Sequence, residues 1–464
     1  MLFSSITFLY YFFPIVLILY FAAPKMLKNA VLLLTSLVFY AWGEPKYVFL
    51  MIISIICGYI CGLLIEKYKG KAQSKIALIA SCIISLGMLG YFKYADFFIT
   101  NFNAATGLSV PLLKLALPIG ISFYTFQILS YTADVYRGNV PAQRNPINLA
   151  AYVTMFPQLI AGPIVRYSDV AKQLDERTHS IDKSAEGIKR FVCGLSKKIF
   201  IANILGELAG LFLASEQQSV LFCWMYAAAY SLQIYFDFSG YSDMAVGLGK
   251  ILGFDFMENF NYPYISSSIT EFWRRWHISL GSWFRDYVYI PLGGNRVSKL
   301  KWFRNIFVVW MLTGFWHGAD WNFIVWGLYF AFFLILEKLY LGKFLSKYKA
   351  VGHCYVLLAV MISFVIFGSP DFRLAFECIK GMFGMAGLPL ATAETLHYLR
   401  SYAVIIVLAV IGATPLPKKL YSMAEKKSAA VTAIAEPAAI IVLLLLSTAY
   451  LVDGSFNPFL YFRF

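Results

Sequence analysis

Val308-Val-Trp-Met-Leu-Thr-Gly-Phe-Trp-His-Gly-Ala-Asp-Trp-Asn-Phe-Ile-Val-Trp-Gly-Leu-Tyr-Phe-Ala-Phe-Phe-Leu334 shows what kind of chain this is. Apolar side chains run on both sides of a short polar knot, Thr313-Gly-Phe-Trp-His-Gly-Ala-Asp-Trp-Asn322. About 20 apolar residues suffice to cross the hydrocarbon of a bilayer. The rest of the chain repeats the pattern, for 60% of its 464 residues are hydrophobic and only 14% charged. An ordinary soluble domain carries about 25% charged residues. With a mean hydropathy of +0.67, a soluble fold of this size would expose large sticky patches. The same figures exclude disorder, a coiled coil, collagen and a small disulfide-stapled scaffold. The expected fold is therefore an all-α polytopic membrane protein.

The first apolar run, from Ile6 to Ala23, has no basic residue before Lys25 and is too long for a signal-peptide core, so it reads as a retained span. Further runs fall at about 29–42, 47–65, 76–92, 111–133, 147–164, 187–213, 219–236, 302–316, 321–340, 354–368, 402–413 and 434–452, predicting roughly 11 to 13 transmembrane or re-entrant helices. One integral-membrane domain over 1–464 is expected, with N-terminal spans in 1–110, both informative histidines in 111–340 and C-terminal spans in 341–464. No repeat, linker or loop long enough for a separate soluble domain interrupts it.

Net charge is +14. Cytoplasmic loops of membrane proteins collect Lys and Arg, which explains this excess without nucleic acid. Lys67, Lys69, Lys71 and Lys75 mark one such loop, and the stretch from Arg166 to Lys198 another. Counting back through two spans predicts the N-terminus outside. The cysteines at 57, 61, 82, 193, 223, 354 and 378 are scattered, read as small residues between helices, and imply neither a metal site nor a disulfide framework.

Of the five histidines, His179, His353 and His397 read as surface or interfacial residues. His317 sits inside the apolar tract, where an ionisable side chain is costly and usually faces a cavity or a partner. Gly314 and Gly318 flank it and would let a backbone or a substrate approach. Desolvation favours the neutral imidazole, able to accept a proton. The plainer alternative is a buried histidine satisfied by a carbonyl.

His277 belongs to Glu271-Phe-Trp-Arg-Arg-Trp-His-Ile-Ser-Leu-Gly-Ser-Trp-Phe-Arg-Asp286. Read as one helix, this places Phe272, Trp273, Trp276, Leu280, Trp283, Phe284 and Tyr287 on one arc, Arg274 and Arg285 opposite, and His277 at the boundary. An interfacial amphipathic helix and an aromatic wall beside phosphate-binding cations both fit. In Gln233-Ile-Tyr-Phe-Asp-Phe-Ser-Gly-Tyr-Ser-Asp243, Asp237 and Asp243 need partners and are expected to orient neighbouring loops. A nucleophile elbow, a phosphate-binding loop and a zinc-protease signature are missing, and Gly247, Gly249 and Gly253 lack dinucleotide spacing.

Pro118-Ile-Gly-Ile-Ser-Phe-Tyr-Thr-Phe126, Phe156-Pro-Gln-Leu-Ile-Ala-Gly-Pro163, Tyr235-Phe-Asp-Phe-Ser-Gly-Tyr-Ser-Asp243, Phe272-Trp-Arg-Arg-Trp-His277 and Gly314-Phe-Trp-His-Gly318 together resemble the membrane-bound O-acyltransferases, in order over almost the whole chain. Arg285-Asp-Tyr-Val-Tyr-Ile-Pro-Leu-Gly-Gly-Asn-Arg296 and the ending Asn457-Pro-Phe-Leu-Tyr-Phe-Arg-Phe464 are most similar to the bacterial polysaccharide O-acetyltransferase branch, typified by the alginate enzymes. A sister branch moves D-alanine onto teichoic acids.

This resemblance implies a multi-helix body around a central tunnel in the bacterial cytoplasmic membrane. It implies that His317 is the catalytic histidine and His277 its second position, which orients the thioester or stabilises the developing oxyanion. The donor would be a cytoplasmic thioester, acetyl-CoA, with no tightly bound cofactor or metal. Arg274, Arg275, Arg285, Trp273 and Trp276 are candidates to hold it, Arg296 could join them, and Asp237, Asp243 and Asn322 are supporting polar residues. The acetyl group would pass to an extracytoplasmic partner that accepts it or transfers it onward, with a polysaccharide as final acceptor. D-alanyl transfer from a carrier protein and a non-catalytic transporter or flippase are the alternatives.

Overall fold

The computed structural model describes residues 1–160 and 162–454. Ala161 and 455–464, and with the latter the Asn457–Phe464 motif, lie outside the described residues. Every regular element among the described residues is helical. That is the form in which a backbone satisfies its own hydrogen bonds where water is absent.

Among the described residues six helices are long and apolar enough to cross a membrane: Val48–Lys67, Ala72–Thr106, Trp321–Lys347, Lys349–Gly368, Ala393–Gly412 and Ala429–Asp453. A shorter apolar helix covers Thr7–Ala22. Two of the other apolar runs are not continuous helices. The 111–133 run is helical only from Ile121, where the helix Ile121–Arg137 buries nearly every side chain to Val135. The 147–164 run breaks at Met155 into Pro146–Thr154 and Phe156–Leu159. Hydropathy reports a wish to leave water and does not distinguish lipid from protein as the destination. The apolar window of Ala429–Asp453 is 0% buried, whereas that of Lys349–Gly368 is 50% buried.

The described chain forms two compact units: Met1–Phe191 with Ser242–Met257, and Val192–Tyr241 with Glu258 onward. In the first, Phe3, Phe8, Phe12, Phe39 and Phe156 pack ring to ring. Arg177 ties that unit's polar end together, donating to Asn29 and to the Tyr20 hydroxyl, which also lies 2.9 Å from His179 Nε2. Asp243 belongs here as well, paired with Arg190 at 2.9 Å.

Both informative histidines lie in the second unit. The helices Lys299–His317 and Trp321–Leu336 form a hairpin joined through Gly318 and Asp320, whose carboxylate caps the second helix at Trp321 N. Their backbones nearly touch. A Cβ on Gly314 would stand 2.2 Å from Phe323 O, and one on Gly327 2.2 Å from Trp310 O. Small residues allow such approach, and close packing is what holds apolar helices together in lipid. Of the two approaches Gly314 could allow, a backbone or a substrate, it is the neighbouring helix's backbone that comes close. Gly318 is likewise covered, by the Phe323 ring.

Candidate active site

The Glu271–Asp286 segment is not one helix. Two short helices, Ile269–Arg275 and Ile278–Phe284, are separated by Trp276 in an extended conformation and His277 in the left-handed region, at φ 45 and ψ 54. A left-handed conformation costs a non-glycine residue about 1–3 kcal/mol, so surrounding contacts must hold it. Those contacts come from Asn259-Phe-Asn261, which runs beside the break. Asn261 N donates to Arg275 O, and Ile278 N donates to Asn259 O. At the other end, Ser268 caps the first helix and the buried Glu337 carboxylate accepts from Ile269 N, Thr270 N and the Thr270 hydroxyl. The aromatic arc expected of a continuous helix is consequently divided.

His277 is 1% exposed. The Phe238 ring stands edge-on to it at 4.7 Å and Trp316 at 6.0 Å. Nδ1 lies 3.2 Å from Asn259 Oδ1, while Nε2 is buried and meets no hydrogen-bond partner among the described residues. Burial holds the imidazole pKa well below the usual histidine range, so the ring is neutral.

A cavity of about 530 Å³ opens beside His277, lined by Trp273, Arg274, Leu280, Arg285, Trp310 and Thr313 among others. That volume lies within the range of small-molecule sites. Its chemistry is graded: Arg274 and Arg285 are exposed, whereas His277, Leu280, Trp310 and Thr313 are buried. Trp273 Nε1 meets no hydrogen-bond partner among the described residues. Such a site suits a ligand with an anionic, solvated part and a less polar end.

Four of the expected site residues, Trp273, Arg274, His277 and Arg285, thus share one cavity. Arg275 instead pairs with Glu271 at 2.9 Å and donates to Asn261 O. Trp276 fills the aromatic core between Phe260, Phe272 and Phe364. Arg296 sits in an exposed loop turn, its backbone bonded to Gly293 O.

His317 ends its helix, 8% exposed. Trp316, Trp326 and Phe367 meet its ring edge-on with centroids at 4.9, 5.1 and 5.3 Å. It is not among the residues lining the 530 Å³ cavity, which reaches its helix at Thr313, one turn earlier. Trp316 connects the two histidines, adjacent to one in sequence and edge-on to the other. Asn322 donates to Ser369 O and holds the start of the next helix against that loop. Asp237 pairs with Lys198 at 2.6 Å, both side chains almost wholly buried. The following residue, Phe238, is the one packed on His277.

No site role attaches in the sequence to Asn259, Phe238, Trp310 or Phe367. The only mark on Asn259 is its place in Glu258-Asn-Phe-Asn-Tyr-Pro263, which by itself says no more than a turn.

The model of the membrane-bound O-acyltransferase family matches residues 140–370. The chain is 40% identical to a probable alginate O-acetylase AlgI of Azotobacter vinelandii, over 100% of both proteins. It is 36% identical to a peptidoglycan O-acetyltransferase of Helicobacter pylori, covering 84% of this chain and 81% of that one. It is 32% identical to a teichoic acid D-alanyltransferase of Bacillus subtilis, covering 54% of this chain and 67% of that one.

Proposed function

This chain belongs to the membrane-bound O-acyltransferase family, as a multi-pass membrane O-acyltransferase, and from that premise we propose that it carries an acetyl group from cytoplasmic acetyl-CoA to an extracytoplasmic hydroxyl. The final acceptor is an exopolysaccharide or cell-wall polymer of the alginate type, reached through an extracytoplasmic partner that takes the acetyl group or transfers it onward. The observation that carries this reading is the graded cavity, with Arg274 and Arg285 exposed and Trp273 and His277 deeper. Guanidinium groups bind phosphates through paired hydrogen bonds, so Arg274 holds the CoA phosphates, with Arg285, itself paired with Asp286 at 2.6 Å, beside it at the cavity mouth, while the thioester reaches the buried end.

In this mechanism an acceptor O–H gives its proton to His317 as the oxygen attacks the thioester carbonyl. The C–S bond then breaks, and the imidazolium returns the proton to the departing thiolate. A positioned general base is worth about 10²–10⁴-fold in rate. The aromatic walls of Trp316, Trp326 and Phe367 exclude water and keep His317 able to accept that proton. His277 orients the thioester donor. The whole chain works as one domain in the bacterial cytoplasmic membrane with its N-terminus outside, an orientation supported by the basic loops at Lys67–Lys75 and Arg166–Lys198.

D-alanyl transfer is the second reading, favoured by the likeness to the Bacillus subtilis enzyme. One experiment tests both. Sealed vesicles receive acetyl-labelled CoA on the cytoplasmic face, and alkali-labile ester is followed on the other side, with an equally expressed His317→Ala variant as comparison. Label that falls by about 100-fold or more in the variant supports acetyl transfer through His317. Equal signals would remove His317 from the mechanism. No label from acetyl-CoA, with alkali-labile label appearing instead from a carrier protein charged with labelled D-alanine, would replace acetyl-CoA as donor.

A further inference from the structure

We propose that Asn259 is a positioning residue that fixes the tautomer of His277, so that Nε2 meets the substrate as a hydrogen-bond acceptor and never as a donor. This rests on the reading that His277 lies in the donor site.

The argument begins with a group whose role is not adjustable. Ser279 N is a backbone amide and can only donate, and it lies 3.2 Å from Asn259 Oδ1. Were the Asn259 amide turned the other way, two donors would face each other. The atom there is therefore the carbonyl oxygen, and the Ser279 hydroxyl, 2.9 Å away, donates to it as well. His277 Nδ1 lies 3.2 Å from that same oxygen. Ser279 Oγ also lies 3.4 Å from Nδ1, but its one proton goes to Oδ1, the nearer acceptor at 2.9 Å. An unprotonated Nδ1 would then set its lone pair against the lone pairs of Oδ1, so Nδ1 carries the proton. A neutral imidazole has one N–H, so Nε2 is left with a bare lone pair. The ring cannot slip away from this arrangement, because Asn259 O also holds Ile278 N across the left-handed turn.

The consequence concerns chemistry. Two roles were open to His277, orienting the thioester or stabilising the developing oxyanion. A neutral ring with its proton on Nδ1 has nothing to give an oxyanion. What it offers is an acceptor in a buried wall of the cavity, where an unpaired lone pair is costly until met. The matching ligand group is a polar hydrogen, an amide N–H of the donor's arm or the O–H of the acceptor.

The test reads the tautomer directly and activity separately. Full-length protein is labelled with ¹⁵N-histidine and purified in detergent, and the His277 nitrogen signals are identified by their loss in His277→Gln. The proton is expected on Nδ1. Asn259→Leu, similar in size but without an acceptor, is expected to lose that preference and to fall by about tenfold or more in kcat, as removing an imidazole's orienting partner does elsewhere. Asn259→Asp, which restores an acceptor, is expected to recover the Nδ1–H form. Wild-type protein with its proton on Nε2 overturns the proposal, and so does Asn259→Leu that keeps the Nδ1–H form. Should Asn259→Leu fail to fold, the wild-type and Asn259→Asp spectra still decide. An Nδ1–H signal with a fully active His277→Gln would sink the catalytic reading of His277 and leave the tautomer assignment standing. With desthio-CoA or a short acceptor alcohol added in turn, a shift of Nε2 names which polar hydrogen it accepts, and no shift with either overturns the acceptor role.

Discussion

Lys198 Nζ lies 2.6 Å from Asp237 Oδ1, and both side chains are almost completely withdrawn from the surface. The pair joins the π-helical Lys197–Asn203 to the helix Val220–Ile251 one residue before Phe238, whose ring packs on His277. Breaking a buried pair strands a charge and costs about 3–5 kcal/mol, whereas replacing both partners by apolar groups is often neutral. Asp237→Ala is accordingly expected to lower the melting temperature in detergent sharply and to reduce activity. Lys198→Met combined with Asp237→Leu should recover most of the stability, and equal losses in the single and double variants would argue against the pair.

The helix hairpin that presents His317 depends on two missing side chains. Gly314→Ala and Gly327→Ala would each push a methyl group against a carbonyl oxygen of the opposing helix. Overpacking of this kind costs about 1–3 kcal/mol and moves backbones. Both variants should lose acetyl transfer beyond what their folded fraction explains. Gly210→Ala, where a Cβ meets nothing within 4 Å, should be neutral or slightly stabilising in the same melting experiment.

Two adjacent arginines should behave differently. Arg274 lines the cavity, whereas Arg275 is held by Glu271 and Asn261. Arg274→Gln is expected to raise the KM for acetyl-CoA about fivefold, roughly 1 kcal/mol for an exposed charged contact, with kcat little changed, and Arg285→Gln, whose guanidinium is shared with Asp286, to raise it less. Arg275→Gln should lower thermal stability and leave KM alone. The reverse pattern would move the donor's phosphates elsewhere.

Acid should act on His277 through folding. Its folded pKa is depressed by burial, so between the ordinary histidine value of about 6.5 and the lower folded one the unfolded chain binds the extra proton. Stability is therefore complete above that ordinary value and falls as the pH drops below it, by up to about 1.4 kcal/mol per pH unit for one proton. Melting temperatures followed from pH 7 to pH 5 should show a shallower decline in His277→Gln than in the wild type.

Much was legible in the chain itself. The apolar tract around His317 and the scarcity of charge dictate a helical membrane protein, because in hydrocarbon a helix satisfies its own backbone. The ordered motifs from Pro118 to Gly318 were enough to identify the family. Periodicity failed at Glu271–Asp286, where it described a single amphipathic helix. No local property of Trp276 or His277 announces a left-handed break, which is held by Asn259 and Asn261 from outside the segment.

Apolar runs give the helical membrane class but not the surroundings of each helix, since Ile121–Arg137 and Ala429–Asp453 both fall in apolar runs and only contacts show that one is buried and the other bare. The residue types able to perform acyl transfer are local facts: His277, His317, Arg274 and Arg285 stand in motifs that can be read along the chain. Which of them share a cavity, that Arg275 and Trp276 do not, and which nitrogen of His277 carries the proton were decided by tertiary structure. Those properties arise from groups far apart in sequence, such as Trp273 and Thr313 or Asn259 and Ser279, that meet only when close packing and buried hydrogen bonds bring them together.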